Sequence, residues 1–221
     1  MIKACIFDLD GTLADTVESI AKGVNLALVQ LGYEPRAVEE FNYYAGDGID
    51  MSLTRALRAD GETDGAVIEK GIVLTRKYFG EDRMYHVKPY PEMPELLQEL
   101  KKRGIRIAVF SNKPHEAAID VVHTLFGPDT FEWIQGQNEE VPKKPDPTGA
   151  FAIAKHFELE PCEIMYLGDT DTDMKTGVAA GMYTVGVTWG FRTREELEEN
   201  HAAALADHPL QVLELIEALK K

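Results

Sequence analysis

Cysteine is nearly missing from this 221-residue chain: Cys5 and Cys162 are its two thiols, and neither stands in a CxxC or comparable metal-ligand spacing. That scarcity excludes a disulfide framework and a thiolate metal centre. Cys5 lies inside an apolar run, where a buried free thiol acting as a small hydrophobe is expected. Long apolar runs are missing as well, and none approaches the roughly 20 residues needed to cross a bilayer. Met1 to Phe7 carries no small-residue cleavage site, so it does not read as a secretory signal, and a cytoplasmic protein without membrane association is expected. Positive charge is in deficit, with 23 Lys and Arg against 38 Asp and Glu and a formal net charge of -15. Nucleic-acid binding requires the opposite balance, because it rests on cations that neutralise phosphates. The six histidines, His86, His115, His123, His156, His201 and His208, show no paired helical spacing and give no support to a Ser-His-Asp triad.

What remains is an ordinary globular composition, 44% hydrophobic and 28% charged, in a chain long enough for one α/β core with a small appendage. Its most informative feature is the apolar run Ile2 to Phe7, which empties into Asp8-Leu9-Asp10-Gly11-Thr12. Carboxylates two residues apart at the end of an extended segment point to the same side. At the carboxyl edge of an open α/β sheet that side faces the ligand crevice. Three further polar signals sit in matching places. Ile105 to Phe110 ends at Ser111-Asn112-Lys113, Lys143-Lys144-Pro145-Asp146-Pro147 precedes a helical pattern, and Ile164 to Leu167 ends at Gly168-Asp169-Thr170-Asp171-Thr172-Asp173.

Between the first strand and the next, the pattern is helical throughout. Asp15 or Thr16 is placed to cap a helix whose apolar positions Ile20, Val24, Leu28 and Leu31 share one face before Gly32 stops it. More helix-like segments follow near 36 to 43, 48 to 59 and 64 to 80. After Pro89-Tyr90-Pro91, strand and helix alternate to the C-terminus, through Leu96, Leu97 and Leu100, then Ala118, Val121, Val122 and Leu125, then Ala150, Phe151 and Ala154, to a last helix with Leu213, Ile216 and Leu219. Such alternation predicts a parallel sheet with helices on both faces. The expected layout is therefore an α/β fold, a Rossmann-like doubly wound core of residues 1 to 15 and 83 to 221, with an inserted all-helical cap of residues 16 to 82.

The four ordered motifs resemble those of the haloacid-dehalogenase superfamily: DxDxT, a Ser or Thr after a strand, a Lys before a helix, and GDxxxD. The resemblance spans nearly the whole chain and implies a phosphatase. Asp8 would be the nucleophile that forms an aspartyl-phosphate, and Asp10 the general acid and base. Ser111 and Lys144 would steady the phosphoryl oxygens. Lys143 is adjacent to Lys144, but Lys144 directly precedes Pro145-Asp146-Pro147. Thr12 and Asn112 are candidate substrate-binding residues. Asp8, Asp10 through its backbone carbonyl, and Asp169 would ligate a hard cation, with Asp173 supporting from behind; no motif carries His or Cys, so Mg²⁺ is the expected cofactor. Asp171 matches no motif position and reads as a solvated or helix-capping carboxylate.

Substrate choice falls to the cap. Gly46-Asp47-Gly48 with Arg55, together with Asp15 to Ile20 and Thr188-Trp189-Gly190-Phe191, is similar to the phosphoglycolate phosphatase group. Backbone amides at Gly46 and Gly48 and the Arg55 guanidinium are candidates to bind a small carboxylate, beside the alternative of a Gly-rich turn with a structural Arg55. A sugar-phosphate mutase is disfavoured, because Ile20 stands where those enzymes carry a catalytic His. Pyrophosphate, nucleoside monophosphates and sugar phosphates remain alternative substrates. A phospho-accepting signalling domain is the distant alternative, disfavoured by Asp10 and by the insertion. The expected partner is a small phosphorylated metabolite bound by a monomer or homodimer.

Overall fold

The computed structural model describes residues 1–220 and groups them into two compact units, Met1–Ala14 with the chain from Pro89 onward, and Asp15–Lys88. The chain thus passes between the units at 14 and 15 and again at 88 and 89. In chain order the elements are β1 (Ala4–Phe7), β2 (Ala14–Asp15), α1 (Val17–Leu31), α2 (Phe41–Tyr44), α3 (Ile49–Ala59), α4 (Gly65–Glu81), β3 (Lys88–Pro89), α5 (Met93–Lys102), β4 (Arg106–Pro114), α6 (His115–Phe126), β5 (Trp133–Gln137), α7 (Thr148–His156), β6 (Ile164–Gly168), α8 (Asp171–Ala179), β7 (Tyr183–Val187), α9 (Arg194–Glu199), β8 (Ala204–Ala206) and α10 (Gln211–Ala218).

The larger unit is an α/β core. Its sheet has the strand order β5-β4-β1-β6-β7-β8, and every neighbouring pair runs parallel. β1 is central and all four of its residues are buried, as expected of a parallel strand covered on both faces. From β1 the chain builds outward through β4 and β5, then returns to the other side of β1 for β6. The direction of winding reverses there, so a crevice opens at the carboxyl ends of β1, β4 and β6. One face of the sheet packs Ile6, Ala108, Phe110 and Tyr166 against Ala150, Ile153 and Ala154 of α7. Cys5 is fully buried, and burial pushes its thiol pKa well up; Cys162 is exposed.

The smaller unit is helical apart from the strand residues at its chain crossings, where β2 and β3 pair. α1 buries Ile20, Val24 and Leu28 on the expected face, and Gly32 ends it in the left-handed conformation. The expected cap is different in detail. Thr16 occupies the N-cap position but accepts no capping hydrogen bond, and its hydroxyl is buried without a partner. α3 contributes Ile49, Leu53 and Leu57 to the core of this unit, and Gly23 of α1 lets the Phe79 backbone of α4 approach closely. The last helix of the chain also differs from expectation: α10 buries Val212 and Ile216, while Leu219 is exposed. Among the described residues no helix is long and apolar enough to cross a membrane.

Candidate active site

Each of the three central strands delivers a polar group to the crevice. Asp8 follows β1, and its N–H donates to the Leu167 carbonyl of β6, so the two strand ends stay in register. Asp169 follows β6, and Asp173 lies in the first turn of α8. The carboxylates of Asp8, Asp169 and Asp173 are all buried and offer oxygens within 4.8 Å of one another. Three such charges repel strongly where water is excluded, so they require compensation. Lys144 supplies part of it. Its buried Nζ donates to Asp173 Oδ1 at 2.6 Å and lies 2.8 Å from Asp8 Oδ1. The second contact is an ion pair without a directed hydrogen bond, because no donor is aligned on Asp8 Oδ1.

The electrostatic consequences follow from burial. Desolvation, only partly opposed by Lys144 and reinforced by Asp173 and Asp169, pushes the Asp8 carboxyl well above the usual range. Burial and then Asp173 push Asp169 up to about 7, against hydrogen bonds from Phe191 and Thr12. Burial alone would lower the Lys144 pKa, but Asp173 and Asp8 outweigh it and the net shift is upward, so the ammonium keeps its proton. The site is therefore rich in carboxylates whose burial favours the protonated form. An oxygen donor set of this kind, with a buried Asp8 Oδ1 that no hydrogen bond serves, fits a hard divalent cation.

Glycine makes room for Asp169 at two places. Gly11 has φ of 87°, and a Cβ there would sit 2.2 Å from Asp169 Oδ2; one on Gly190 would sit 2.3 Å from the Asp169 Cβ and 2.4 Å from the Gly11 carbonyl oxygen. Both backbones wrap Asp169 so tightly that no larger residue fits.

Asp10 stands apart from the three-carboxylate group. Its Oδ1 accepts from Lys113 Nζ at 2.8 Å, and the Lys113 side chain is 3% exposed. Ser111 is buried at the end of β4, next to the end of β1, and its hydroxyl accepts the Lys113 N–H at 3.2 Å. Asp171 pairs on the surface with Lys175, one turn along α8.

Three residues expected to bind substrate have other work in the structure. Thr12 donates its hydroxyl to Asp169 Oδ1 at 2.8 Å, so it orients a carboxylate. Asn112 clamps the Lys144 backbone from both sides, accepting its N–H at 2.8 Å and donating to its carbonyl at 3.2 Å. Arg55 donates to the carbonyls of Tyr44 and Ala45 and pairs with Asp47, which places it among the structural contacts of its own unit. Gly46 and Gly48 have φ of 112° and 88°, so glycine there answers the demands of the turn itself.

Sequence reading gave several contributors no role in holding the carboxylates. Thr170 holds Asp173, with its N–H and hydroxyl both donating to Oδ2; a Thr three residues ahead of an acid at a helix start is a readable capping signal. The Phe191 N–H donates to Asp169 Oδ2 at 2.8 Å, and Trp189 Nε1 donates to the Thr12 carbonyl at 3.0 Å. The segment after β7 therefore braces the loop after β1. Lys113 carried no motif role, and its adjacency to Ser111 is the one signal that could have flagged it.

Comparison with known proteins supplies the frame for this geometry. Residues 5–187 match the family model described as haloacid dehalogenase-like hydrolase. The phosphoglycolate phosphatase of Neisseria meningitidis is 34% identical over 203 residues, covering 91% of this chain and 86% of that protein. The phosphoglycolate phosphatase of Aquifex aeolicus is 32% identical over 190 residues, covering 86% of each. A crystal structure of a protein from Lactobacillus delbrueckii subsp. bulgaricus superposes with a TM-score of 0.92 at 26% identity, covering 97% of this chain and 98% of that one.

Proposed function

The chain belongs to the haloacid dehalogenase-like hydrolases and is a phosphoric monoester hydrolase; from that premise we propose that it hydrolyses 2-phosphoglycolate, with Mg²⁺, through a phosphorylated Asp8. The observation that carries the reading is the buried pairing of Asp8 with Lys144 inside the Asp8, Asp169 and Asp173 group. A carboxylate so placed has a cation beside it to receive an anionic phosphoryl group, which the protein's net charge would otherwise repel.

In the first step an Asp8 oxygen bonds to phosphorus while the bond from phosphorus to the leaving oxygen breaks, and Asp10 passes its proton to that oxygen. In the second, Asp10 takes a proton from the water that attacks phosphorus, so Asp8 is restored and inorganic phosphate leaves. Lys144 has three N–H donors; one serves Asp173, and the ammonium beside Asp8 would turn toward phosphoryl oxygens together with the Ser111 hydroxyl. Asn112 fixes the Lys144 backbone, and Thr12 and Phe191 fix Asp169, so the charged groups are set before substrate arrives. Asp8, Asp169 and the Asp10 carbonyl would hold Mg²⁺, with Asp173 behind them, and the ion supplies positive charge to the phosphoryl oxygens when bound.

Substrate selection we assign to the helical unit, in particular the turn at Gly46 to Gly48. Arg55 neutralises Asp47 there, which removes a charge that would repel a second anionic group from the turn's amides. The names of the Neisseria and Aquifex relatives support phosphoglycolate. A cytoplasmic location, where such metabolites occur, belongs to the same proposal. Phosphate release from 2-phosphoglycolate, pyrophosphate, nucleoside monophosphates and sugar phosphates, with and without Mg²⁺, tests it. A Mg²⁺-dependent preference in kcat/KM for phosphoglycolate is expected; a preference for another ester, or a flat profile, would overturn the substrate.

A further inference from the structure

The contact between Lys113 and Asp10 stands outside the phosphoryl-binding group and has no part in the steps above. Lys113 lies near the end of β4, two residues beyond Ser111, with its ammonium 2.8 Å from Asp10 Oδ1 and its side chain almost fully enclosed. Asp10 is less enclosed, its side chain 16% exposed, and among the described residues Lys113 is the partner its carboxylate takes. The two oxygens of Asp10 are therefore unequal. Oδ1 is held by a charge-assisted hydrogen bond, which is short and directional, and Oδ2 is the oxygen left to meet a substrate.

We propose that Lys113 is a positioning residue for the proton-transfer step: it fixes the Asp10 carboxyl so that Oδ2 faces the leaving oxygen. The inference rests on the proposed role of Asp10 as general acid and deepens it. A carboxyl on a loop has a broad, soft terminal torsion, and proton transfer requires a heavy-atom separation near that of a hydrogen bond. An ammonium anchored in a β-strand removes that freedom. Asp8 and Lys144 carry the phosphoryl group in any case, so Lys113 matters only where the leaving oxygen needs a proton.

That dependence on the leaving group supplies the test. An alkyl phosphate releases a strongly basic alkoxide and relies on Asp10, whereas p-nitrophenyl phosphate releases a stable anion and does not. Reading kcat/KM confines the comparison to the steps up to departure of the leaving group, before water attacks. Wild type, Lys113→Met and Lys113→Arg are to be compared on the best alkyl phosphate of the substrate panel and on p-nitrophenyl phosphate, each with Mg²⁺. Lys113→Met is expected to lose about 10- to 100-fold in kcat/KM on the alkyl ester, the part of a general-acid contribution that orientation supplies, and less than about threefold on the aryl ester. Lys113→Arg, which keeps a cation and a donor, should recover most of the alkyl activity. Equal losses on both esters would overturn the proposal and place Lys113 on the phosphoryl group; no loss on either would overturn it too, by showing that the residue has no part in the reaction. Failure of both Lys113→Met and Lys113→Gln to fold, judged by circular dichroism, would make the residue structural and overturn it too. A wild-type preference for some alkyl ester other than phosphoglycolate would refute the substrate while leaving this comparison intact.

Discussion

Stripped of divalent metal, the folded protein should lose stability as the pH rises from 5 to 7, and Asp169 should be a principal cause. Its carboxyl titrates near 7 in the folded chain, against an ordinary value of 3.8, chiefly because it is buried. A group with a raised pKa binds a proton in the folded state over a range in which the unfolded chain has already released it, so each rise in pH across that range favours unfolding. One proton's difference changes stability by about 1.4 kcal/mol per pH unit. For a chain of this length that lowers the melting temperature by about 3–5 °C per unit, or about 5–9 °C between pH 5 and 7 because the slope halves as the pH reaches 7. Asp8, shifted in the same direction, adds to the fall. Lys144, raised above its ordinary value, leaves the slope alone, since its contribution is complete at every pH below that value. The assay is thermal unfolding by circular dichroism in chelator at half-unit pH steps, for wild type and Asp169→Asn. The amide suits the site, with its oxygen accepting the Phe191 N–H and its NH₂ donating to the Thr12 hydroxyl, so the variant should show a flatter profile and melt above metal-free wild type at pH 7.5. Saturating Mg²⁺ should raise the wild-type melting temperature increasingly with pH. A wild-type profile that is flat or rises from 5 to 7, or an Asp169→Asn profile as steep as the wild type's, would refute the electrostatic account of the site.

Three further outcomes are expected. Asp8→Asn should lower kcat at least about 10³-fold, as loss of a nucleophile does, while near-ultraviolet circular dichroism stays native; phosphate release near the wild-type rate would exclude the covalent route. Lys144→Met strands the buried Asp8 and Asp173, so metal-free protein at pH 7.5 should lose about 3–5 kcal/mol in urea unfolding, and saturating Mg²⁺ should recover a larger share than it adds to wild type. Gly48→Ala meets a backbone with φ of 88° and ψ of 161°, a region essentially reserved for glycine, so it should cost about 1–3 kcal/mol in the same assay; an unchanged midpoint would show that the turn before α3 relaxes freely.

The parts of this molecule legible in its sequence are those where a local pattern and the fold demand the same residue. Ile6 and Phe7 leading to Asp8, and Met165 to Leu167 leading to Gly168 and Asp169, mark buried parallel strands and their ends at once. β5 and β7 were not legible as strands. Trp133–Gln137 is broken by Gln135 and Gly136, and Gly186 interrupts Tyr183–Val187; neighbouring strands stabilise both, and propensity does not. Side-chain direction was the other blind spot. Thr12 and Asn112 were placed at the right strand ends, but their partners are Asp169 and the Lys144 backbone, more than thirty residues away in each case. Arg55 illustrates the converse, since its partner Asp47 lies within the very segment that suggested ligand binding.

Those partnerships bear on how so acidic a protein accepts an anion. At the crevice four carboxylates, Asp8, Asp10, Asp169 and Asp173, face two ammoniums, Lys113 and Lys144. That excess of carboxylates is what a divalent cation would offset. Without the cation the site has no long-range attraction for an anion, and the wider surface repels one. Affinity must then come at short range, from Lys144 donors, the Ser111 hydroxyl and a bound cation. Such a site should therefore bind phosphate esters with a steep dependence on divalent metal and a shallow dependence on monovalent salt, because its decisive interactions lie well inside a Debye length of about 8–10 Å.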